Sequence, residues 1–219
     1  MGLDDEDRAV LYDALREGRR DPELLAAFDL AWADDLGLDE HGLWASVEGV
    51  HLRRIPKRPQ GFWLGTTPVT QRQWAQFTNG AAPSHFEGPQ RPVERVSFEE
   101  CEAFLNRLPP GLAWRLPTEA EWEYACRAGT QGIHYGPLDE VAWHGHNTSG
   151  GTQPVGGKRP NALGLYDMSF AGRLANHSRA GKRNVAKCLL PERPGCLRRF
   201  PTGRRIADPS LTGAGFRSF

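Results

Sequence analysis

Arg115-Leu116-Pro117-Thr118-Glu119-Ala120-Glu121-Trp122-Glu123-Tyr124-Ala125-Cys126-Arg127-Ala128-Gly129 is the stretch whose reading decides the fold. Pro117 ends an extended Arg-Leu pair, Thr118 offers the side-chain oxygen of an N-cap, and Glu121 three residues on can reach back to the Thr118 N–H. That is a capping box. Trp122, Ala125 and Cys126 then recur at i, i+3 and i+4, so the helix has one apolar face, and Gly129 stops it.

Working outward, the same device opens two more helices. Thr70 with Gln73 caps one that carries Trp74 and Phe77, and Ser97 with Glu100 caps one whose Cys101, Phe104, Leu105 and Leu108 face inward. Val50-His51-Leu52 and Phe62-Trp63-Leu64 read as short strands. Capped helices and short strands together predict an α+β domain. Between Gly129 and Pro160 eight glycines, three histidines and three prolines break any periodicity, so long loops follow. His144 and His146 lie there, but two histidines with no third ligand in view are a weak metal signal, and no metal is expected.

Residues 1–48 read as a helical extension packed on a domain spanning 49–219. Val10, Leu11 and Leu15 form one stripe. Pro22 opens a second helix over Glu23 to Leu36, with Leu25, Phe28, Trp32 and Leu36 on one face and Gly37 as its stop.

The chain has 219 residues, 39% of them hydrophobic, which is enough to bury a real core. No apolar run is long enough to span a bilayer, and the acidic start, Asp4-Asp5-Glu6-Asp7, is unlike a signal peptide. Synthesis in the cytoplasm is expected, with a final location on a phage particle or a surface left open. Cys101 and Cys126 lie on apolar helix faces, and no cysteine pair has C-x-x-C spacing, so reduced structural thiols are expected. Net charge is zero, yet the first fifty residues hold fourteen acids against four bases, while 169–219 holds eleven bases against two acids. The two ends neutralise each other and the bases are not interleaved with aromatics, which argues against a nucleic-acid partner.

Five pieces stand in one order: 62–65 with 68–74 (Phe-Trp-Leu-Gly, Pro-Val-Thr-Gln-Arg-Gln-Trp), 91–105 (Arg-Pro-Val through Ala-Phe-Leu), the 115–129 helix, 139–147 (Asp-Glu-Val-Ala-Trp-His-Gly-His-Asn) and 154–168 (Pro-Val-Gly-Gly through Tyr-Asp-Met). Together they resemble the formylglycine-generating enzymes, the sulfatase-modifying-factor family. The resemblance implies a C-type-lectin-like fold of that subclass, irregular and loop-rich. In Asn161-Ala162-Leu163-Gly164-Leu165-Tyr166-Asp167-Met168, it makes Gly164 a point of close backbone approach and turns Leu165 and Met168 to the core.

After Met168 the chain leaves the family pattern. Members commonly continue Gly-Asn-Val-Trp-Glu-Trp and use residues of that motif to hold calcium; here Ser169-Phe170-Ala171-Gly172-Arg173-Leu174-Ala175-Asn176 stands instead, so no cofactor is expected and calcium is left open without that motif. The family's oxidases hold copper(I) with two cysteines that have four residues between them, soft ligands for a soft ion. Cys188 and Cys196 have seven residues between them, which leaves copper-dependent oxidation of a substrate cysteine, or an eroded non-catalytic relative of such an oxidase, as the alternative reading. Iron-dependent sulfoxide synthases of the family draw ligands from a helical domain for which residues 1–50 are too short.

The tail resembles most a third branch, the variable proteins of diversity-generating retroelements, where asparagine codons are rewritten at adenines. Such codons never yield Glu, Gln, Lys, Met or Trp, and none of the five occurs from Arg193 to Phe219, although all occur elsewhere. The chain still ends Gly215-Phe216-Arg217 in family fashion before its last two residues. The resemblance implies a non-catalytic binding protein with 169–219 as its variable segment. Its binding face is expected at Arg173, Asn176, His177, Pro191, Arg193, Cys196, Arg199, Phe200, Thr202, Arg205, Ile206, Ser210, Leu211 and Thr212, with a protein or glycan as ligand.

Overall fold

The computed structural model describes residues 5–57, 61–80, 82–110, 112–148, 150–169 and 189–191. Two helices, α1 (Asp5–Arg16) and α2 (Pro22–Ala27), precede four strands, β1 (Asp35–Asp39), β2 (Gly42–Val47), β3 (Val50–Ile55) and β4 (Phe62–Gly65). Helices α3 (Gln71–Thr78), α4 (Phe98–Leu105), α5 (Glu119–Arg127) and α6 (Leu138–Val141) follow, and β5 (Leu189–Pro191) closes the order. The strands form one antiparallel sheet in sequence order, β1-β2-β3-β4-β5, so the architecture is α+β.

The sheet is covered on both faces. Period-two alternation sends neighbouring residues of β4 to opposite sides. Trp63 joins Leu36, Leu43, Val47, Val50 and Leu52 under Leu11, Leu15 and Leu30 from the N-terminal segment. Phe62 and Leu64 pack instead with Ile55, Ala125 of α5, Leu165 and Met168. A third cluster, Trp74, Phe104, Leu105, Val93 and Val96, joins α3 to α4, with the Trp74 and Phe104 rings stacked at 4.8 Å.

All three capping boxes are formed, at Thr70 with Gln73, Ser97 with Glu100 and Thr118 with Glu121. Arg115 adds a fork to the last, donating to Glu121 at 2.8 and 2.6 Å, and this holds the Glu121 carboxyl down at about 2. Cys101, Phe104, Leu105 and Leu108 are buried as expected.

The N-terminal expectation needs correction. The helix over Glu23 to Leu36 ends at Ala27; Asp29 takes a left-handed φ of 54° and the chain turns into β1. Leu25, Phe28, Trp32 and Leu36 do face the core, but from a helix, a turn and a strand rather than from one helix. Nor is 1–48 a helical extension, because β1 and β2 are two of the five strands among the described residues and β2 pairs with β3 from Trp44↔Arg53 to Val47↔Val50. Gly37 is no helix stop. It lies in β1 with the Trp44 ring against it, where a Cβ would come within 2.9 Å of the indole. Val10 points outward, 40% exposed, and Ala128 rather than Gly129 is the first left-handed residue after α5, at φ 46°.

Candidate functional site

Of the residues expected to form a binding face, Pro191 lies on β5 opposite Phe62. Arg173, Asn176, His177, Arg193, Cys196, Arg199, Phe200, Thr202, Arg205, Ile206, Ser210, Leu211 and Thr212, together with Cys188, lie outside the described residues. What the structure does show is how the chain is held where that segment begins and where β5 rejoins the sheet.

Asn161 organises the beginning. It is 2% exposed, and its side chain is fully used: Nδ2 donates to the carbonyl of Ala125 at 2.7 Å and of Cys126 at 3.2 Å, while Oδ1 accepts from the N–H groups of Leu163 and Leu165 at 3.0 and 3.1 Å. A buried amide so satisfied fixes a loop against a helix end. Here it satisfies carbonyls at the C-terminus of α5 and bends 161–165 into the core. Gly164 makes the bend at φ +69°, so close to β3 that a Cβ would lie 2.7 Å from Arg53 Nε.

From there the chain runs along β4. The Tyr166 N–H donates to the Thr66 carbonyl at 2.9 Å, and Asp167, itself at φ 56°, accepts from the Gly156 N–H at 2.8 Å. Leu165 and Met168 are buried to 0 and 1% exposure, as the sequence reading expects. The Cys126 thiol donates to the Met168 carbonyl at 3.3 Å, and Ser169 beyond it is still buried. β5 returns to the same strand, with Leu189 opposite Leu64 and Pro191 opposite Phe62. Both anchors of 170–188 thus rest on β4.

The described residues hold titratable groups suited to structure. Burial pushes the Cys101 thiol up to about 11 and the Tyr135 phenol up to about 12, with the Asp167 charge adding to the latter. Neither is poised to lose a proton near neutrality. Among the described residues no group of three His, Cys, Asp or Glu side chains is placed to hold a metal ion. His144 donates its Nε2–H toward Asp139 at 2.7 Å.

Sequence reasoning missed Asn161 as a fastener and did not foresee Gln71, which is buried while its amide joins Phe86, Pro92 and Gly88 at 2.8, 3.3 and 3.1 Å. The available signal was only their polarity beside apolar neighbours. Their partners are backbone groups, to which sequence gives no address.

Comparison with known proteins places this frame. The chain is 32% identical over 194 residues to the chaperone protein LppX of Paenibacillus barcinonensis, covering 63% of this chain and 69% of that one. It is 32% identical over 124 residues to the formylglycine-generating enzyme of Bos taurus, covering 49% of this chain but 31% of the enzyme, so it spans about a third of that relative's length. Among solved structures it is similar to Treponema denticola variable protein 1, with a TM-score of 0.47 and 24% identity over 56% of this chain and 71% of the other. The model of the sulfatase-modifying factor enzyme 1-like domain matches residues 50–172, more than half the chain, and the chain belongs to that family.

Proposed function

We propose that this member of the family is a non-catalytic ligand-binding protein on a C-type-lectin-like scaffold, with a closing segment diversified by a retroelement. The observation that carries the reading is the composition of Arg193 to Phe219, which lacks the five residue types that adenine rewriting of asparagine codons cannot produce. The buried packing of Leu165 and Met168 against β4, with β5 paired to the same strand, gives such a segment a fixed support on either side. Arg193, Arg199 and Arg205 supply forked donors and stacking planes, Phe200 and Ile206 apolar contact, Ser210 and Thr212 adaptable hydrogen bonds. The ligand on this reading is a protein or glycan surface.

The test is to sequence the last codons of the gene and the DNA downstream across a growing population. An imperfect repeat differing from the gene only at adenines, beside a reverse transcriptase, is the expected result. An invariant tail with no repeat overturns the reading. Copper(I) titration against a competing chelator then decides the oxidase alternative, which requires saturable binding that depends on Cys188 and Cys196 together.

A further inference from the structure

The link between α1 and α2 lies open to solvent. Residues 16–23 are all exposed, and a Cβ built on Gly18 would meet nothing within 4 Å. α1 closes at Arg19, whose N–H donates to the Ala14 carbonyl at 2.9 Å, and α2 opens at Asp21, whose carboxylate accepts from the Leu24 N–H at 2.8 Å. Between these two caps the backbone of Arg20 makes no hydrogen bond among the described residues. Exposed loops of this kind are where proteases cut, because the enzyme needs a few residues drawn out as a strand, and here no helical or ladder bond opposes that. The Arg19 side chain is 46% exposed and donates from Nε to Glu17 at 2.9 Å, a surface pair that yields easily to a competitor. Other basic residues are less available: Arg53, Arg72 and Arg127 lie inside β3, α3 and α5, and Arg159 is followed by proline.

We propose that the peptide bond between Arg19 and Arg20 is a processing site for a protease of trypsin-like specificity, whose acidic pocket pairs with the Arg19 guanidinium. Water adds across the amide and leaves a carboxylate on Arg19 and an ammonium on Arg20. The cut frees α1. Leu11 and Leu15 seat that helix on the sheet beside Leu36, Leu43 and Trp63. Its twelve residues are marginal as a helix in water on their own, and the new carboxylate stands at the negative end of the helix dipole, beside the hydrogen bond that closes α1. Without the tether, docking becomes bimolecular and is lost on dilution. Cleavage is therefore a means of uncovering the sheet face under α1.

Limited digestion of the full chain with trypsin, followed by intact mass and gel filtration, tests this. The first cut within residues 5–168 is expected between Arg19 and Arg20, and the fragment 1–19 is expected to elute apart from the remainder. Arg19→Ser should slow cleavage of that bond at least about a hundredfold, because serine leaves the protease's carboxylate unpaired. Its exposed position leaves the melting temperature unchanged. A first cut elsewhere in 5–168, or an equal rate in Arg19→Ser, overturns the site. Co-elution of 1–19 with the remainder overturns the release of α1. Cuts beyond residue 168 do not alter the 1–19 readout, so the result is separate from the binding function of the closing segment.

Discussion

Arg53 grips Asp39 through two parallel hydrogen bonds, Nη1 to Oδ1 at 2.7 Å and Nη2 to Oδ2 at 2.5 Å. The pair ties β3 to the tip of the β1–β2 hairpin, and the guanidinium pulls the Asp39 carboxyl below its ordinary value. Arg53 is 9% exposed, its Nε has no partner among the described residues, and the backbone of Gly164 lies against that atom. One buried cation therefore joins the N-terminal hairpin to the loop that leads into the closing segment.

Removing the anion leaves that cation unpaired. Breaking a buried pair costs about 3–5 kcal/mol; with the Asp39 side chain 33% exposed, Asp39→Asn is expected to cost about 2–3 kcal/mol. Urea denaturation of the two proteins measures it, and a difference within about 0.5 kcal/mol would show that water satisfies Arg53 equally well.

Gly164 extends the same argument to the backbone. Alanine there meets the left-handed strain of φ +69° and a Cβ 2.7 Å from Arg53 Nε and 2.9 Å from His41 Cβ. The strain alone costs about 1–2 kcal/mol. Because Asp39 holds the guanidinium in place, Arg53 cannot yield cheaply, and Gly164→Ala is expected to lower the melting temperature. In the Asp39→Asn background the added loss should be smaller, a coupling that a double-mutant cycle reads directly.

Glu121 sets an acid limit. Its carboxyl titrates at about 2 against an ordinary 4.5, because Arg115 hydrogen-bonds the charged form. A depressed carboxylate contributes stability that is complete above the ordinary value and is lost as pH falls toward the folded one. Wild type should therefore lose urea midpoint between about pH 5 and about pH 3. Glu121→Gln keeps the capping reach to Thr118 without a titrating group, so its midpoint should start lower and fall less over that interval. Parallel curves for the two proteins would assign the acid loss to other carboxylates.

Elements that rest on local chemistry were legible. Thr70, Ser97 and Thr118 each cap a helix whose partner stands three residues on, and such a box needs nothing from the rest of the fold. The hairpin was not. Leu25, Phe28, Trp32 and Leu36 keep a spacing that suits a continuous helix, and only the tertiary need to cover Trp63 and Leu52 decides that the chain turns at Asp29 and pairs. The frame of the candidate site divides the same way. Leu165 and Met168 follow from pattern, whereas the Asn161 and Cys126 hydrogen bonds go to carbonyls whose positions exist only once α5 has docked.

That hairpin changes what truncation should do. Were residues before 49 an appended pair of helices, their removal would leave the melting temperature of the rest nearly unchanged. In the structure Leu11 is fully buried and packs with Leu15, Leu36, Leu43 and Trp63 over one face of the sheet. Leu11→Ala opens a cavity there, at a cost of about 2–5 kcal/mol. Deleting residues 1–34 goes further and leaves Leu36, Leu43, Val47, Leu52 and Trp63 facing water. The truncated chain is expected to be insoluble, although the family's matched region begins only at residue 50. Solubility with an unchanged melting temperature would return 1–34 to the status of an extension, and the sheet would then have to cover that face by another route.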